Sequence, residues 1–389
     1  MNLTVLAVVA AVLIGLPGLT TAAHLSLLAL ASLFYRQPRG TTDRELRFLV
    51  MIPAHNEERV IGHGLEAIMG DRRPRDRVLV IADRCTDRTV EVARSHGALV
   101  LERGPDEPAG RAAARQAGLD HARSLEWDAV VMLDADSVIE PGFFAACERA
   151  MASGAPAIQA RSESLPGRAL TAEASVAAFT LQGITLPRGR DRLGAAVRLR
   201  GTGMAIRRDV ALAHRFRAPA SEDLFFTLDL LLDGLRCRHV EAARLSSQGA
   251  STWGSFGTQK VRYEAGRMAA ARAFLPRLAR RAARGDLACL EIAWFLVSPP
   301  FAVGALSLAL AAGLGAAVGA WTFVAVFGLA LATLVLVLVT GLVQAHARMR
   351  TWLALAVAPW YVAWKLVVQL RALASVVRRD EYYAPTVRA

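Results

Sequence analysis

Apolar residues gather at the two ends of this chain, in residues 3 to 34 and again in residues 287 to 371, while the middle alternates short apolar runs with polar stretches. At 1.5 Å of rise per residue the first run is longer than a ~30 Å hydrocarbon core requires, and too short for two spans of ~20 residues. It predicts one tilted or Pro17-kinked helix. Small residues at Thr21, Ala22 and Ala23 leave a cleaved signal peptide as an alternative. The missing basic n-region and the continued apolar run through Phe34 favour a retained anchor.

In the middle, Phe48 to Ala54 is an apolar run containing Pro53, followed by a polar turn and a helical pattern through Ile68. The pattern recurs: a strand at Val78 to Ala82 and a helix from Thr86 to His96, a strand at Ala98 to Leu101, then a strand at Ala129 to Leu133 and a helix from near Pro141. Such alternation predicts an α/β fold whose mostly parallel sheet is covered on both faces, with ligands beyond the carboxyl ends of the strands. The expected organisation is an anchor at 1–36, a globular domain at 45–285 ending in a basic interfacial helix, two membrane helices within 287–345, a segment at 351–371, and a tail at 372–389.

Charge sharpens the membrane reading. The net charge is +12, with 54% apolar residues, and arginines cluster beside the apolar ends: Arg36, Arg39, Arg44 and Arg47, then Arg277, Arg280, Arg281 and Arg284, then Arg348 and Arg350. Basic flanks stay on the cytoplasmic side, and no motif points to nucleic acid. With the N-terminus outside, segments near 291–313 and 320–344 cross out and back. If residues 351–370 also crossed, Arg371, Arg378 and Arg379 would lie outside. That segment holds Pro359, Lys365 and Gln369, with Trp352, Trp360, Tyr361 and Trp364, so a re-entrant or interfacial course stands against a fourth span. The four cysteines, Cys85, Cys147, Cys237 and Cys289, form no CxxC pair and read as packing residues in a reducing compartment.

The strand ends carry the candidate chemistry. His55, Asn56 and Glu57 follow the first strand, Asp83 ends the second, and Asp134-Ala135-Asp136 ends the fourth. Two carboxylates one residue apart at a strand end suit a hard divalent cation that also holds a diphosphate. Alone, such a pair also fits a helix cap with a solvated neighbour. The apolar run Val130 to Leu133 before it, and Asp83 and Asn56-Glu57 on the same rim, favour the cation. Ser221-Glu222-Asp223 opens a helical segment that runs to Gly234. It serves either as a cap or as a carboxylate that takes a proton from a hydroxyl. From Phe256 to Ala283 a basic helical pattern carries Gln259, Arg262 and Tyr263. A solvated, membrane-facing helix is one reading; phosphate binding by Arg262, with Gln259 on the adjoining face, is the other.

Five motifs in order, VMIPAHNEE, IADRCTD, LDADS, GTGM followed by SEDLFF, and QKVRY, resemble the large family-two glycosyltransferases with the GT-A, Rossmann-like nucleotide-binding fold. That group includes cellulose, hyaluronan and poly-N-acetylglucosamine synthases and ceramide glucosyltransferase, and the resemblance spans about residues 47 to 285. It implies that Pro53, Ala54 and Glu57 line the nucleotide pocket, that Asp83 meets a uracil-like base, and that Asp134 with Asp136 holds Mg2+ or Mn2+ and the diphosphate. It further implies Asp223 as general base with Glu222 beside it on the substrate side. Gly201, Thr202, Gly203 and Met204 would flank the acceptor, while Gln259 and Arg262 close over the donor. Two positions depart from the pattern: Tyr263 stands where tryptophan is usual, and Arg111 where many members have lysine after a glycine.

The implied activity is inverting sugar transfer from a nucleotide sugar of the UDP type to a lipid or exopolysaccharide acceptor. Its implied place is the cytoplasmic face of a bacterial membrane, with membrane lipids and no nucleic acid as partners. A processive synthase is an alternative, for which the few spans offer little channel. A transporter, or an anchor with a degenerate domain, does not explain the retained carboxylates, and nucleotidyl transfer does not explain QKVRY or the spans.

Overall fold

The computed structural model describes residues 3–41, 45–165, 170–217, 221–248 and 253–378. Eight strands form one sheet: β1 Phe48–Ala54, β2 Arg77–Asp83, β3 Leu99–Arg103, β4 Ala129–Met132, β5 Ser137–Ile139, β6 Ala157–Leu165, β7 Met204–Arg207 and β8 Arg238–Gln248, in the order β3-β2-β1-β4-β7-β6-β8-β5. β1 pairs in parallel with β2 and β4, β2 with β3, and β6 with β8. β5 and β7 run against the rest.

Successive strand residues point to opposite faces, and here both faces are buried. Phe48, Val50, Ile52 and Ala54 pack with Ile61, Leu65, Ile68, Phe143 and Phe144 on one side. Leu49 and Met51 pack with Leu119, Trp127 and Phe226 on the other. The helix Arg111–His121 lies close over β1 and β2, because a Cβ on Gly118 would come within 2.4 Å of the Met51 methyl. That approach brings the start of this helix to the rim where β1, β2 and β4 end.

At the N-terminus one helix, Leu3–Leu33, contains Pro17, whose carbonyl accepts from the Thr20 and Thr21 hydroxyls, each at 2.9 Å. Val5–Leu33 and Trp321–Gln344 are long and apolar enough to cross a membrane. The straight span expected near 291–313 is instead broken. Leu287–Val297 and Phe301–Ala317 meet at 70°, since Pro299 and Pro300 force the intervening backbone into extended conformations, with ψ of 144° at Ser298 and 153° at Pro300. Met349–Val357 and Val362–Arg371 meet at 70° as well.

The basic helix Trp253–Ala282 is more than a solvated face. Its Ala270, Phe274 and Leu278 are buried among Leu224, Leu228 and Leu231 of the helix Glu222–Leu232 and Ile292 and Leu296 of Leu287–Val297.

Candidate active site

The turns after β1 and β2 are laced together. Asn56 sits in the left-handed region at φ 55°, and its side-chain oxygen accepts from the Thr86 N–H at 2.8 Å. The Glu57 N–H donates to the Thr89 hydroxyl at 2.8 Å, and His55 Nδ1 donates to the Asp83 carbonyl at 2.6 Å. Pro53 and Ala54 end β1 beside this turn. Asp83 is buried and ion-paired with the equally buried Arg103 at 2.9 Å, a partner that no sequence pattern singles out. A base would therefore meet the Asp83–Arg103 pair and not an isolated carboxylate.

After β4 the chain carries Asp134 and Asp136 against the loop of Gly201, Thr202 and Gly203. The Asp134 N–H donates to the Thr202 hydroxyl at 3.1 Å, and that hydroxyl lies 2.7 Å from the Ser137 hydroxyl. The Gly203 N–H donates to the Met132 carbonyl at 2.9 Å. Gly203 has φ 69°, and a Cβ there would come within 2.3 Å of Leu245, so glycine is required. The buried Gln159 amide clamps the loop, donating to the Thr202 carbonyl and accepting from the Arg200 N–H, each at 2.9 Å.

Two arginines one helical turn apart join these parts. Arg111 Nη1 lies 3.5 Å from Asp134 Oδ2. Arg115, fully buried, lies 3.5 Å from Asp134 Oδ1, donates to Glu222 Oε1 at 2.7 Å and donates to the Gly201 carbonyl at 2.5 Å. Asp134, followed by Glu222, Asp223 and Asp136, raises the Arg111 guanidinium above its ordinary value against the opposing effect of burial. Asp223 stands next to Glu222, accepts from the Leu224 N–H at 2.8 Å, and is pushed up to about 6 by burial and then by Glu222. A Cβ on Gly201 would lie 3.5 Å from Asp223 Oδ2, which places the Gly201 loop against that carboxylate.

Arg262, half-buried on the basic helix, faces the same charges. Burial and then Arg111 lower its guanidinium, while Glu222, Asp134 and Asp223 oppose the shift. Tyr263 is 37% exposed, and its hydroxyl accepts from Arg198 at 2.5 Å. Gln259 lies on the same helix, but its side chain is outside the described residues. Arg111, Asp134, Asp136, Gly201, Thr202, Gly203, Glu222, Asp223 and Arg262 thus converge, with Pro53, Ala54, Glu57 and Asp83 on the neighbouring strand ends. Sequence reasoning missed Arg115 and Gln159. For Arg115 the four-residue spacing from Arg111 was the available signal.

Among the described residues no group of three or more His, Cys, Asp or Glu side chains could hold a metal ion. Asp134 and Asp136 still fit a magnesium-like cation, which takes one or two carboxylates and fills the rest of its shell with substrate phosphates and water.

Residues 46–266, more than half of the chain, match the family model described as glycosyltransferase like family 2, and the chain belongs to that family. A 90-residue stretch is 39% identical to a 4,4'-diaponeurosporenoate glycosyltransferase of Staphylococcus aureus, covering 22% of this chain and 23% of that protein. The chain thus matches about a quarter of that relative's length. Among solved structures it is similar to the mannosyltransferase PcManGT from Pyrobaculum calidifontis in complex with GDP-Man and Mn2+, at TM-score 0.56 and 17% identity, over 85% of this chain and 98% of that one. The fold is accordingly of the GT-A type.

Proposed function

We propose that this chain is an inverting, metal-dependent glycosyltransferase that moves a sugar from a nucleotide-sugar donor, of the UDP type, to a lipid or exopolysaccharide acceptor at the cytoplasmic face of a bacterial membrane. The observation that carries this reading is Arg115, whose guanidinium ties the Asp134 strand end to Glu222 and to the Gly201 carbonyl, so that donor-side and acceptor-side motifs share one rim. The GDP-Man and Mn2+ bound to the mannosyltransferase, and the acceptor in the staphylococcal relative's name, support the same class.

Asp134 and Asp136 would hold Mg2+ or Mn2+, which supplies neutralisation of the diphosphate as it leaves. Arg262, with Gln259 on its helix, closes over that diphosphate, and Arg111 adds fixed positive charge beside it. Asp223 takes the proton of the acceptor hydroxyl as its oxygen bonds to the anomeric carbon and the bond from that carbon to the diphosphate breaks. A carboxylate near 6 is suited to this at neutral pH. Candidate spans at Val5–Leu33 and Trp321–Gln344, with two bent helix pairs, support a membrane location, with membrane lipids around them.

The test is mass spectrometry after purified protein is incubated in detergent with a panel of nucleotide sugars, Mn2+ or Mg2+, and membrane lipids. Metal-dependent appearance of a glycosylated lipid or oligosaccharide with free nucleoside diphosphate is expected. Absence of any sugar product and of nucleotide release across the panel would sink the reading.

A further inference from the structure

Next to Asp223 lies a second cluster of charge that the reaction above leaves unused. The extended segment before the Gly201 loop alternates: Val197 and Leu199 enter the core, so Arg198 and Arg200 share the opposite side. Arg198 is buried, lies 3.8 Å from the Phe295 ring centroid, and donates to the Tyr263 hydroxyl at 2.5 Å and Gln182 Oε1 at 2.6 Å. Both of these partners are neutral. Arg200 lies over the Phe179 ring at 4.4 Å. Among the described residues its buried Nη1 has no hydrogen-bond partner, and neither has the buried Arg198 Nε.

Among the described residues neither guanidinium is ion-paired with a carboxylate, whereas the nearby buried cations are: Arg190 with Glu291 at 2.9 Å and Arg267 with Glu264 at 3.1 Å. Burying a charge is costly unless it is paired. Burial and then Arg198 push Arg200 down to about 10, with Tyr263 and Asp223 opposing.

The wall around Arg200 packs closely. The π-turn Leu181–Thr185 presents Gly183, where a Cβ would lie 3.1 Å from Arg200 Nη1 and 2.2 Å from the Ser162 carbonyl. The same turn reaches the candidate span Trp321–Gln344, because the Thr185 hydroxyl donates to Gln344 at its end at 3.0 Å. Arg200 directly precedes Gly201, which abuts Asp223. Planar guanidinium groups held on aromatic rings are preorganised for an oxyanion.

We infer that Arg198 and Arg200 form an oxyanion subsite that takes the phosphate or carboxylate headgroup of an amphipathic acceptor and sets the neighbouring hydroxyl of that acceptor beside Asp223. The inference rests on the glycosyl-transfer reading and narrows its acceptor to an anionic amphiphile.

The test uses the full chain in a neutral maltoside detergent, with equilibrium binding of dodecyl phosphate, dodecanoate, dodecanol and inorganic phosphate, and of the nucleotide sugar with Mn2+ as a separate reading. Dodecyl phosphate or dodecanoate should bind at least about tenfold more tightly than dodecanol, the scale of one charged hydrogen bond. Arg200→Gln should lose that preference, and Arg200→Lys should keep part of it. Equal binding of dodecyl phosphate and dodecanol by the wild type would overturn the subsite, and this comparison decides even if Arg200→Gln does not fold. Persistence of the preference in a folded Arg200→Gln protein would overturn it too. Inorganic phosphate binding as tightly as dodecyl phosphate would overturn the amphiphile in favour of a soluble anion. Loss of donor binding in a wild type that keeps its anion preference would strike the glycosyl-transfer reading alone.

Discussion

Arg115 and Glu222 form an ion pair at 2.7 Å in which the arginine side chain is fully buried and the glutamate nearly so, between the helix Arg111–His121 and the helix Glu222–Leu232. Arg115 also holds the Gly201 carbonyl and lies 3.5 Å from Asp134, so one guanidinium sets the distance between the end of β4 and the helix Glu222–Leu232.

Removing Arg115 therefore has two separable effects. Arg115→Met leaves Glu222 buried and uncompensated, a loss of about 3–5 kcal/mol of stability. Adding Glu222→Leu should restore most of the thermal unfolding temperature in detergent, because a matched apolar pair is cheaper to bury than a lone charge. Transfer should stay lost in the double variant. Recovery of activity together with stability would show that the pair is structural only.

Asp136→Asn should abolish transfer and metal-dependent donor binding while the protein still folds. The readouts are nucleotide-sugar binding with and without Mn2+ and elution of the purified variant. Near-normal activity would remove the cation from this strand end.

Asp223 gives a pH signature. Its folded value is pushed up to about 6, and a general base acts when ionised, so the rate should climb as pH rises through about 6 and level off above it. Asp223→Asn should cut turnover at least about a hundredfold and leave donor affinity nearly unchanged. A variant whose main loss is donor affinity would assign Asp223 to binding.

Tyr263 tests the acceptor side. From sequence alone, Tyr263→Trp should preserve activity and lengthen products through greater stacking surface. The contact with Arg198 reverses that expectation, since an indole N–H only donates and cannot replace the hydroxyl as acceptor. Tyr263→Trp and Tyr263→Phe should both raise the acceptor KM, by about tenfold for one charged hydrogen bond. An unchanged acceptor KM in both would make the contact incidental.

The course of residues 351–371 is open to labelling. A cysteine placed at Ala389, which lies outside the described residues, should resist a membrane-impermeant thiol reagent on intact cells and react after lysis if this segment re-enters or lies in the interface. Labelling from outside would make it a fourth span.

The parts of the fold legible in the sequence are those whose signal is local. β1, β2 and β4 are near-continuous apolar runs because a parallel sheet covered on both faces buries nearly every position, while the edge strand β3 keeps only a short apolar start. β6 and β8 hid because they carry charges inward: Arg161 of β6 and Arg188 both pair with Glu241 of β8, so neither strand alternates cleanly. β5 and β7 have three and four residues and no periodicity to read. The candidate carboxylates were visible because each sits in a contiguous motif at a strand or helix end. Arg115 was not, since in RAAARQAG it reads as a solvated helix charge until Phe216, Glu222 and Gly201 close over it. Gln182 and Phe179 lie on a different segment from Arg198 and Arg200, and only tertiary packing brings the two together.

The helix Glu222–Leu232 carries Asp223 at one end, and along its length Leu224, Leu228 and Leu231 share a core with Phe274, Leu278, Ile292 and Leu296. A chain cut at residue 285 would lose Ile292 and Leu296 and leave that side of the helix wet. Excising a water-soluble fragment that ends just before Leu287–Val297 would then loosen the support of Asp223 itself. A graded truncation, moving the end point from 300 back to 285, should register in turnover before it registers in nucleotide binding, because β1, β2 and β4 have their own core.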